Sequence, residues 1–209
     1  MYHKDYQQEY TVNKDYHHHL TGFRKLWFER NYILLTERVQ GKVLDAACGD
    51  GRVLDFLQKE EVEIHGFDKS SKGLSLAEQK GGYKKLWLGE ISAEENFLKD
   101  HYDFVICSLT LQHLSTASQL AHFDFMSKIC KDKTEYRFSV PNNSHFLKPK
   151  KIKKILEKLF TRVSMKTIVG FIKNADHLKK DELQFQFSKA KLTSVENSYH
   201  YMIQVSNKI

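Results

Sequence analysis

Residues 43–52 constrain the fold of this chain more than any other stretch. A short apolar run passes directly into a turn of small residues that contains Gly49 and Gly51, and apolar residues at helical spacing follow over residues 51–59. A strand that turns through glycines into a helix is typical of a doubly wound sheet, where ligands bind at the carboxyl ends of the strands. The stretch therefore predicts both a fold class and the position of a site.

Segments of strand and helix character alternate along residues 42–140. Apolar runs predict five strands at residues 42–46, 63–67, 85–88, 104–107 and 135–140, and helical spacing predicts helices at residues 21–40, 51–59, 70–80 and 119–130. This order indicates a three-layer α/β domain, a doubly wound and mostly parallel sheet with helices on both faces. Residues 194–206 alternate without an intervening helix, which predicts a C-terminal antiparallel hairpin at the sheet edge.

The length of 209 residues suits one domain. We expect an N-terminal helical cap at residues 1–40, a ligand-binding core at 41–142, a basic helical insertion at 143–190 and C-terminal strands at 191–209. No apolar run is long enough to span a bilayer. Three cysteines without a CxxC pair argue against a disulfide framework or a zinc site, so we expect a reducing, cytoplasmic setting.

Two common nucleotide-binding motifs are excluded at the glycine turn. No Lys-Ser or Lys-Thr pair follows it, which excludes a phosphate-binding Walker loop. The three glycines of a dinucleotide-binding GxGxxG motif are also missing at the required spacing. What remains is an acid followed by small residues at every second position: Asp45, Ala47, Gly49 and Gly51.

This pattern resembles the first motif of class I S-adenosylmethionine (SAM)-dependent methyltransferases. Ala47 departs from the family, which usually has glycine there. The resemblance implies that Asp45 faces the ammonium end of SAM, directly or through water, and that Gly49 and Gly51 let the backbone pass close to the ligand. It also places Cys48, Lys69 and Ser108 at the cofactor, because they adjoin the motif positions.

Further motifs follow in the order that the family requires. Asp68 ends the second predicted strand, where a carboxylate can accept both ribose hydroxyls, although Asp68 with Ser70 could instead cap the next helix. After the third strand, the resemblance places Glu90 near the adenine amino group and the Ile91 backbone amide on the ring. Glu90 is one methylene longer than the usual aspartate. The resemblance covers about residues 41–142.

The loop after the fourth strand carries the catalytic candidate. Residues 102–114 are similar to the fourth strand and loop of the family, and the resemblance places this loop beside the transferred methyl group. His113 is the best general base because an imidazole titrates near neutrality. It could equally cap or pack under the loop. Cys107, at the end of a predicted strand, is expected in the core and not as a nucleophile.

Net charge is concentrated in one segment. Residues 148–180 carry +9, whereas the rest of the chain carries −2. Residues 150–162 predict an amphipathic basic helix, interpreted first as a lid with a solvated lysine face. Contact of this helix with an acidic carrier protein, an anionic lipid surface or RNA phosphates is the alternative.

The sequence thus predicts a methyltransferase that uses SAM, releases S-adenosylhomocysteine (SAH) and methylates a hydroxyl, carboxyl or similar group of a small molecule. Two alternatives remain: methylation of tRNA or another RNA, and a non-catalytic SAM-binding interaction module. No metal is expected. The run His17-His18-His19 lacks a companion cluster, and consecutive side chains point in different directions.

Overall fold

The computed structural model describes residues 22–91, 102–130, 134–141, 149–160, 162–169 and 200–206. The helices are α1 (Gly22–Thr36), α2 (Ser71–Lys80), α3 (Thr116–Ile129) and α4 (Pro149–Leu156). The strands are β1 (Gly41–Ala46), β2 (Val62–Asp68), β3 (Tyr83–Leu88), β4 (Phe104–Cys107), β5 (Glu135–Pro141), β6 (Arg162–Val169) and β7 (His200–Ser206). Short 3-10 turns lie at Arg52–Asp55, Lys59–Glu61 and Leu111–His113.

The strands form a sheet in the order β3-β2-β1-β4-β5-β7-β6. Strands β1 to β5 are parallel, and β7 runs antiparallel to both β5 and β6. The parallel α/β sheet predicted from the alternating segments is confirmed. Strand order reverses between β1 and β4, and the crevice at such a reversal is where open α/β sheets bind ligands.

Helices cover both faces of the sheet because side chains alternate between the two faces of each strand. On one face, Val43 and Ile106 belong to a buried cluster with residues of α1 and of the first 3-10 turn. On the other face, Leu44 and Val105 lie in a larger buried cluster with residues of α3 and α4. The three-layer arrangement leaves the carboxyl ends of β1 and β4 side by side.

Serine caps fix where two helices begin. The Ser70 hydroxyl accepts a hydrogen bond from the Gly73 N–H at 3.0 Å, and the Ser115 hydroxyl accepts one from the Ser118 N–H at 3.1 Å. Each bond satisfies a backbone donor that the first turn of a helix leaves free. Helix α2 ends at Gly81, whose φ of 71° suits a residue without a Cβ.

The helix predicted at residues 51–59 is reduced to the 3-10 turn Arg52–Asp55. The Phe56 N–H donates to the Val53 carbonyl, and the 3-10 turn ends there. Val53, Leu54 and Leu57 are nevertheless buried. Their spacing therefore reflects burial against α1 and not a full helix.

The basic segment also departs from its prediction. Helix α4 ends at Leu156, six residues before the predicted end, and the N–H groups of Leu159 and Phe160 both bond to the Leu156 carbonyl. Strand β6 then occupies residues 162–169, within the predicted helical insertion, where β-branched residues such as Val163 and Thr167 favour a strand. Strand β7 falls within the predicted C-terminal strands, and residues 191–199 lie outside the described residues.

Arg137 of β5 fastens α1 to the sheet. Its Nη1 donates to the carbonyls of Leu35 at 3.2 Å and Glu37 at 2.6 Å, and its Nε contacts Glu135. Carbonyls at the end of a helix lack intrahelical donors, so a guanidinium there satisfies them and favours the negative end of the helix dipole. The C-terminal end of α1 is thereby held against β5.

Candidate cofactor site

The turn after β1 adopts a left-handed conformation at every second residue. The φ angles of Ala47, Gly49 and Gly51 are 61°, 55° and 78°. Glycine adopts such angles freely, whereas alanine pays about 1 kcal/mol. The departure from glycine at Ala47 is therefore tolerated, and backbone N–H groups of the turn are presented towards β2. The Cys48 N–H donates to the Phe67 carbonyl at 2.9 Å.

Asp68, at the end of β2, bonds to the glycine turn. Its Oδ2 accepts from the Gly49 N–H at 2.9 Å, and its Oδ1 accepts from the Ser70 N–H at 2.8 Å. Burial raises the pKa of Asp68, while the N–H groups of Ser70 and Gly49 act in the opposite direction. The hydroxyl of Ser70, not the carboxylate of Asp68, caps α2. The two predicted motif positions are thus joined directly.

Asp45 lies beneath the turn and is only 1% exposed. Its Oδ2 accepts a hydrogen bond from the Tyr83 hydroxyl at 2.6 Å. Burial raises the pKa of Asp45 from 3.8 to about 7; the Tyr83 hydrogen bond lowers it, and the nearby charges of Asp68 and Asp50 raise it further. A carboxyl poised near neutrality in this position is a functional candidate.

The segment after β3 also lies at the carboxyl ends of the strands, like the glycine turn and Asp68. The Gly89 N–H donates to the Asp68 carbonyl at 3.0 Å, Glu90 is exposed and Ile91 is buried. The Ile91 carbonyl is bonded to His122 Nδ1 of α3 at 3.0 Å, and His122 Nε2 lies 2.6 Å from the Tyr136 hydroxyl. Burial lowers the pKa of His122 to about 4, so this histidine is neutral and holds the segment as a hydrogen-bond donor.

The segment after β4 is tied to α1 and β5. Asn31 Nδ2 donates to the Ser108 hydroxyl at 2.9 Å, and the Leu109 N–H donates to the Ser139 hydroxyl at 3.0 Å. Asn31 is fully buried, and its Oδ1 has no hydrogen-bond partner among the described residues. An unsatisfied buried acceptor costs free energy and is therefore a candidate ligand for a bound donor.

His113 closes the 3-10 turn Leu111–His113 and is half-buried. The remaining predicted residues divide by burial: Lys69 is exposed, whereas burial raises the pKa of the Cys48 thiol well above its usual value. Burial likewise raises the pKa of Cys107 to about 12. This thiol is therefore protonated and lies in the core, as expected.

Helix α4 packs its apolar side onto the core. Ile152, Leu156 and Phe160 are buried, whereas Lys151 and Lys154 are exposed. Within the described parts of the chain, no helix is long and apolar enough to cross a bilayer. No cluster of metal-ligating side chains occurs among those same residues, and the run His17-His18-His19 lies outside them.

Three polar residues of this site were missed by the sequence reasoning: Asn31, Tyr83 and His122. Each reaches the site from a different element, and their partners lie 77, 38 and 31 residues away along the chain. No pattern of neighbouring residues predicts contacts between positions so far apart in the sequence. The one available signal was Tyr83 itself, a bulky polar residue at the start of a short strand that follows two glycines.

A parallel sheet with left-handed backbone after β1 and a carboxylate at the end of β2 is the arrangement with which doubly wound α/β proteins bind nucleosides. A profile of the family described as methyltransferase domain matches residues 16–193, which is most of the chain. The chain therefore belongs to the class I SAM-dependent methyltransferases, as its resemblance implied. Its methyl donor is SAM, and SAH is the product.

A curated relative is the ubiquinone biosynthesis O-methyltransferase of Nitrosospira multiformis, which is 29% identical over 127 residues. The alignment covers 52% of this chain and 52% of that protein, so the chain matches about half of the length of this relative.

Solved structures share the fold at low sequence identity. The methyltransferase in complex with the Trm112 activator of Haloferax volcanii superposes with a TM-score of 0.69 at 11% identity, over 99% of this chain and 100% of that chain. Magnesium protoporphyrin IX methyltransferase (ChlM) of Synechocystis PCC 6803 with bound SAH superposes with a TM-score of 0.61 at 15% identity, over 97% and 93% of the two chains.

Proposed function

We propose that this methyltransferase transfers the methyl group of SAM to a hydroxyl, carboxyl or similar group of a small molecule. The observation that carries the cofactor assignment is the hydrogen bond from the Gly49 N–H to the Asp68 carboxylate. This bond joins the carboxyl ends of β1 and β2 into one binding site. The small acceptor is supported by the partial similarity to an O-methyltransferase of ubiquinone biosynthesis.

The residues of this edge suit the parts of SAM. Asp68 is assigned to the ribose hydroxyls and Asp45 to the ammonium group, since both are buried carboxylates at adjacent strand ends. The backbone of Gly49 and Gly51 leaves room for the ligand, and the Ile91 backbone is assigned to adenine. Bound SAM supplies an activated methyl group on its sulfonium.

The chain's own contribution to the reaction is alignment and the exclusion of water. Methyl transfer is an in-line displacement in which nucleophile and methyl must be held close together. His113 is assigned as the base that removes the proton of an acceptor hydroxyl, because it follows β4 at the same edge of the sheet. Helix α4, which lies in the basic insertion, is assigned to the lid that shapes the acceptor pocket.

Asp68→Asn tests the cofactor assignment. We expect SAM affinity, measured by calorimetry, to fall roughly 5- to 150-fold, which corresponds to about 1–3 kcal/mol for an impaired buried hydrogen-bond partner. The matched control is Asp124→Asn, because Asp124 is 62% exposed on α3 and pairs with Lys128. Equal SAM affinity in wild type and Asp68→Asn would remove Asp68 from the site.

His113→Gln tests the base in a panel of phenol and carboxylate acceptors. We expect turnover of the phenols to fall at least tenfold while SAM affinity and carboxylate turnover change little, because a carboxylate needs no base. Unchanged turnover of every accepted phenol would make His113 a structural residue. Methyl transfer to no member of the panel would contradict the small-molecule assignment.

RNA methylation is the second candidate, and the exposed lysines in and just after α4 favour it. Lys151 and Lys154 lie on the solvent side of α4, whose apolar side is buried, and Lys158 is exposed in the turn that follows it. Phosphate contacts from such residues would give salt-dependent RNA binding. Substitution of all three by Gln should then reduce RNA binding measured at low salt, and absence of binding by the wild-type chain would exclude this function.

A further inference from the structure

The Tyr83 ring occupies a space that two glycines leave open. A Cβ at Gly66 of β2 would lie 2.7 Å from Tyr83 Cε1, and a Cβ at Gly51 would lie 3.0 Å from Tyr83 Cε2. Carbon atoms do not approach to 2.7 Å without displacement, so Gly66 can carry no side chain while the ring is in place. The ring thus crosses β2 and reaches the underside of the glycine turn.

The hydroxyl at the end of this ring bonds to Asp45. Strand β2 lies between β1 and β3 in the sheet, yet the Tyr83 hydroxyl reaches Asp45 Oδ2 at 2.6 Å. Such a short distance is typical of a hydroxyl that donates to a carboxylate. Burial raises the pKa of Tyr83 well above its usual value, so the phenol keeps its proton and remains the donor.

We propose that Tyr83 is a positioning residue of the cofactor site, whose hydroxyl fixes the Asp45 carboxylate so that its second oxygen is available to the ammonium group of SAM. This inference rests on the proposed function, in which Asp45 binds that ammonium group. A phenol is suited to the task because it is a neutral donor. It orients the carboxylate without cancelling the charge that attracts the ligand, whereas a lysine or arginine would cancel it.

The charges around Asp45 support this assignment. Asp68 and Asp50 both raise the pKa of Asp45, and the Tyr83 hydrogen bond opposes them. Tyr32 of α1, whose pKa is itself raised above its usual range by burial, also faces this group of acids. Loss of the Tyr83 hydroxyl therefore favours the protonated form of Asp45, which attracts an ammonium group less strongly.

The alternative is that Tyr83 only fills space between the two glycines. Tyr83→Phe separates the two roles because it keeps the ring and removes the hydroxyl. Tyr102→Phe is the matched control: Tyr102 is a buried tyrosine whose hydroxyl lies 3.0 Å from His65 Nδ1, and it precedes β4, at the amino ends of the strands and away from the site. Both substitutions remove a tyrosine hydroxyl that is hydrogen-bonded to another side chain.

The experiment measures SAM affinity by calorimetry for wild type and both variants between pH 6 and pH 8. We expect Tyr83→Phe to weaken SAM binding about tenfold at pH 7, the effect of one hydrogen bond to a charged group. The pH at which half of the affinity is lost should also move upward. Tyr102→Phe should stay within twofold of wild type. A Tyr83→Phe affinity within twofold of wild type, or an equal loss in Tyr102→Phe, overturns the proposal.

Two further variants separate this proposal from the assignment of the site. Tyr83→Phe combined with Asp45→Asn should bind SAM no more weakly than Asp45→Asn alone, because the hydroxyl acts through the carboxylate. If the second substitution causes a further tenfold loss, Tyr83 acts by another route and the proposal is wrong. If Asp68→Asn weakens binding while Tyr83→Phe does not, the positioning role fails and the cofactor site stands.

Discussion

Asp45→Asn should make the unliganded protein more stable at neutral pH while abolishing tight SAM binding. Asp45 is 1% exposed, and burial raises its pKa from 3.8 to about 7. Between these values the unfolded chain is ionised at Asp45 and the folded chain is protonated. Stability contributed by this carboxyl is therefore complete below pH 3.8 and is lost as the pH rises through 7.

The magnitude follows from the rise of the Asp45 pKa from 3.8 to about 7, a span of about 3 pH units. Each unit corresponds to 1.36 kcal/mol, so the folded protein loses about 4 kcal/mol across the full range and about 3 kcal/mol between pH 5 and pH 8. Asparagine keeps an oxygen that can accept from Tyr83 and has no titration. The free energy of unfolding of Asp45→Asn minus that of wild type should thus increase by about 3 kcal/mol between pH 5 and pH 8.

Urea unfolding at constant ionic strength measures this difference. Other titrating groups, such as His122, are present in both proteins and cancel in the subtraction. Asp124→Asn is the control for the loss of one carboxylate, because Asp124 is 62% exposed on α3. A pH-independent difference for Asp45→Asn would show that Asp45 titrates alike in the folded and unfolded chain, and a decreasing difference would reverse the sign of its pKa shift.

The remaining predictions concern three other contacts. Gly66→Ala should lower the free energy of unfolding by about 1–3 kcal/mol, since its Cβ would meet the Tyr83 ring; an unchanged urea midpoint would contradict this. Arg137→Met should speed hydrogen exchange at the end of α1 and cost about 2–3 kcal/mol, because the Glu37 carbonyl loses its charged donor; unaltered exchange would argue against it. His122→Gln should remove about 3 kcal/mol of acid destabilisation between pH 6.5 and pH 4, since the pKa of His122 is lowered to about 4; parallel pH profiles of variant and wild type would refute this.

Local sequence predicted the parallel sheet because each strand is a separate apolar run. The runs at residues 104–107 and 135–140 match β4 and β5 closely, and the acid at residue 68 ends β2 as expected. Helix lengths were harder to predict. Residues 51–59 have helical apolar spacing but form one 3-10 turn, since burial of Val53 and Leu57 requires only that they face α1, not that the backbone continue as a helix.

The polar contacts of the site could not be predicted from local sequence. Tyr83 meets Asp45 only because β2 lies between their strands and Gly66 leaves a gap in it, which requires knowledge of strand order and register. Asn31 reaches Ser108 because α1 packs on this face of the sheet. The predicted site residues follow from motifs that are local in the sequence, whereas the contacts of Tyr83 and Asn31 depend on the tertiary arrangement.

The two buried acids of the site are held in different ways, and the difference bears on how binding is coupled to stability. Asp68 accepts two backbone N–H groups, which offset part of its desolvation. Among the described residues, Asp45 accepts from the neutral hydroxyl of Tyr83, so burial makes its ionised form costly in the unliganded protein. A ligand ammonium group would relieve that cost on binding. In the proposed site, the buried Asp45 carboxylate therefore lowers the stability of the unliganded enzyme and raises its affinity for SAM. A substitution at Asp45 that stabilises the unliganded enzyme should thus reduce SAM affinity.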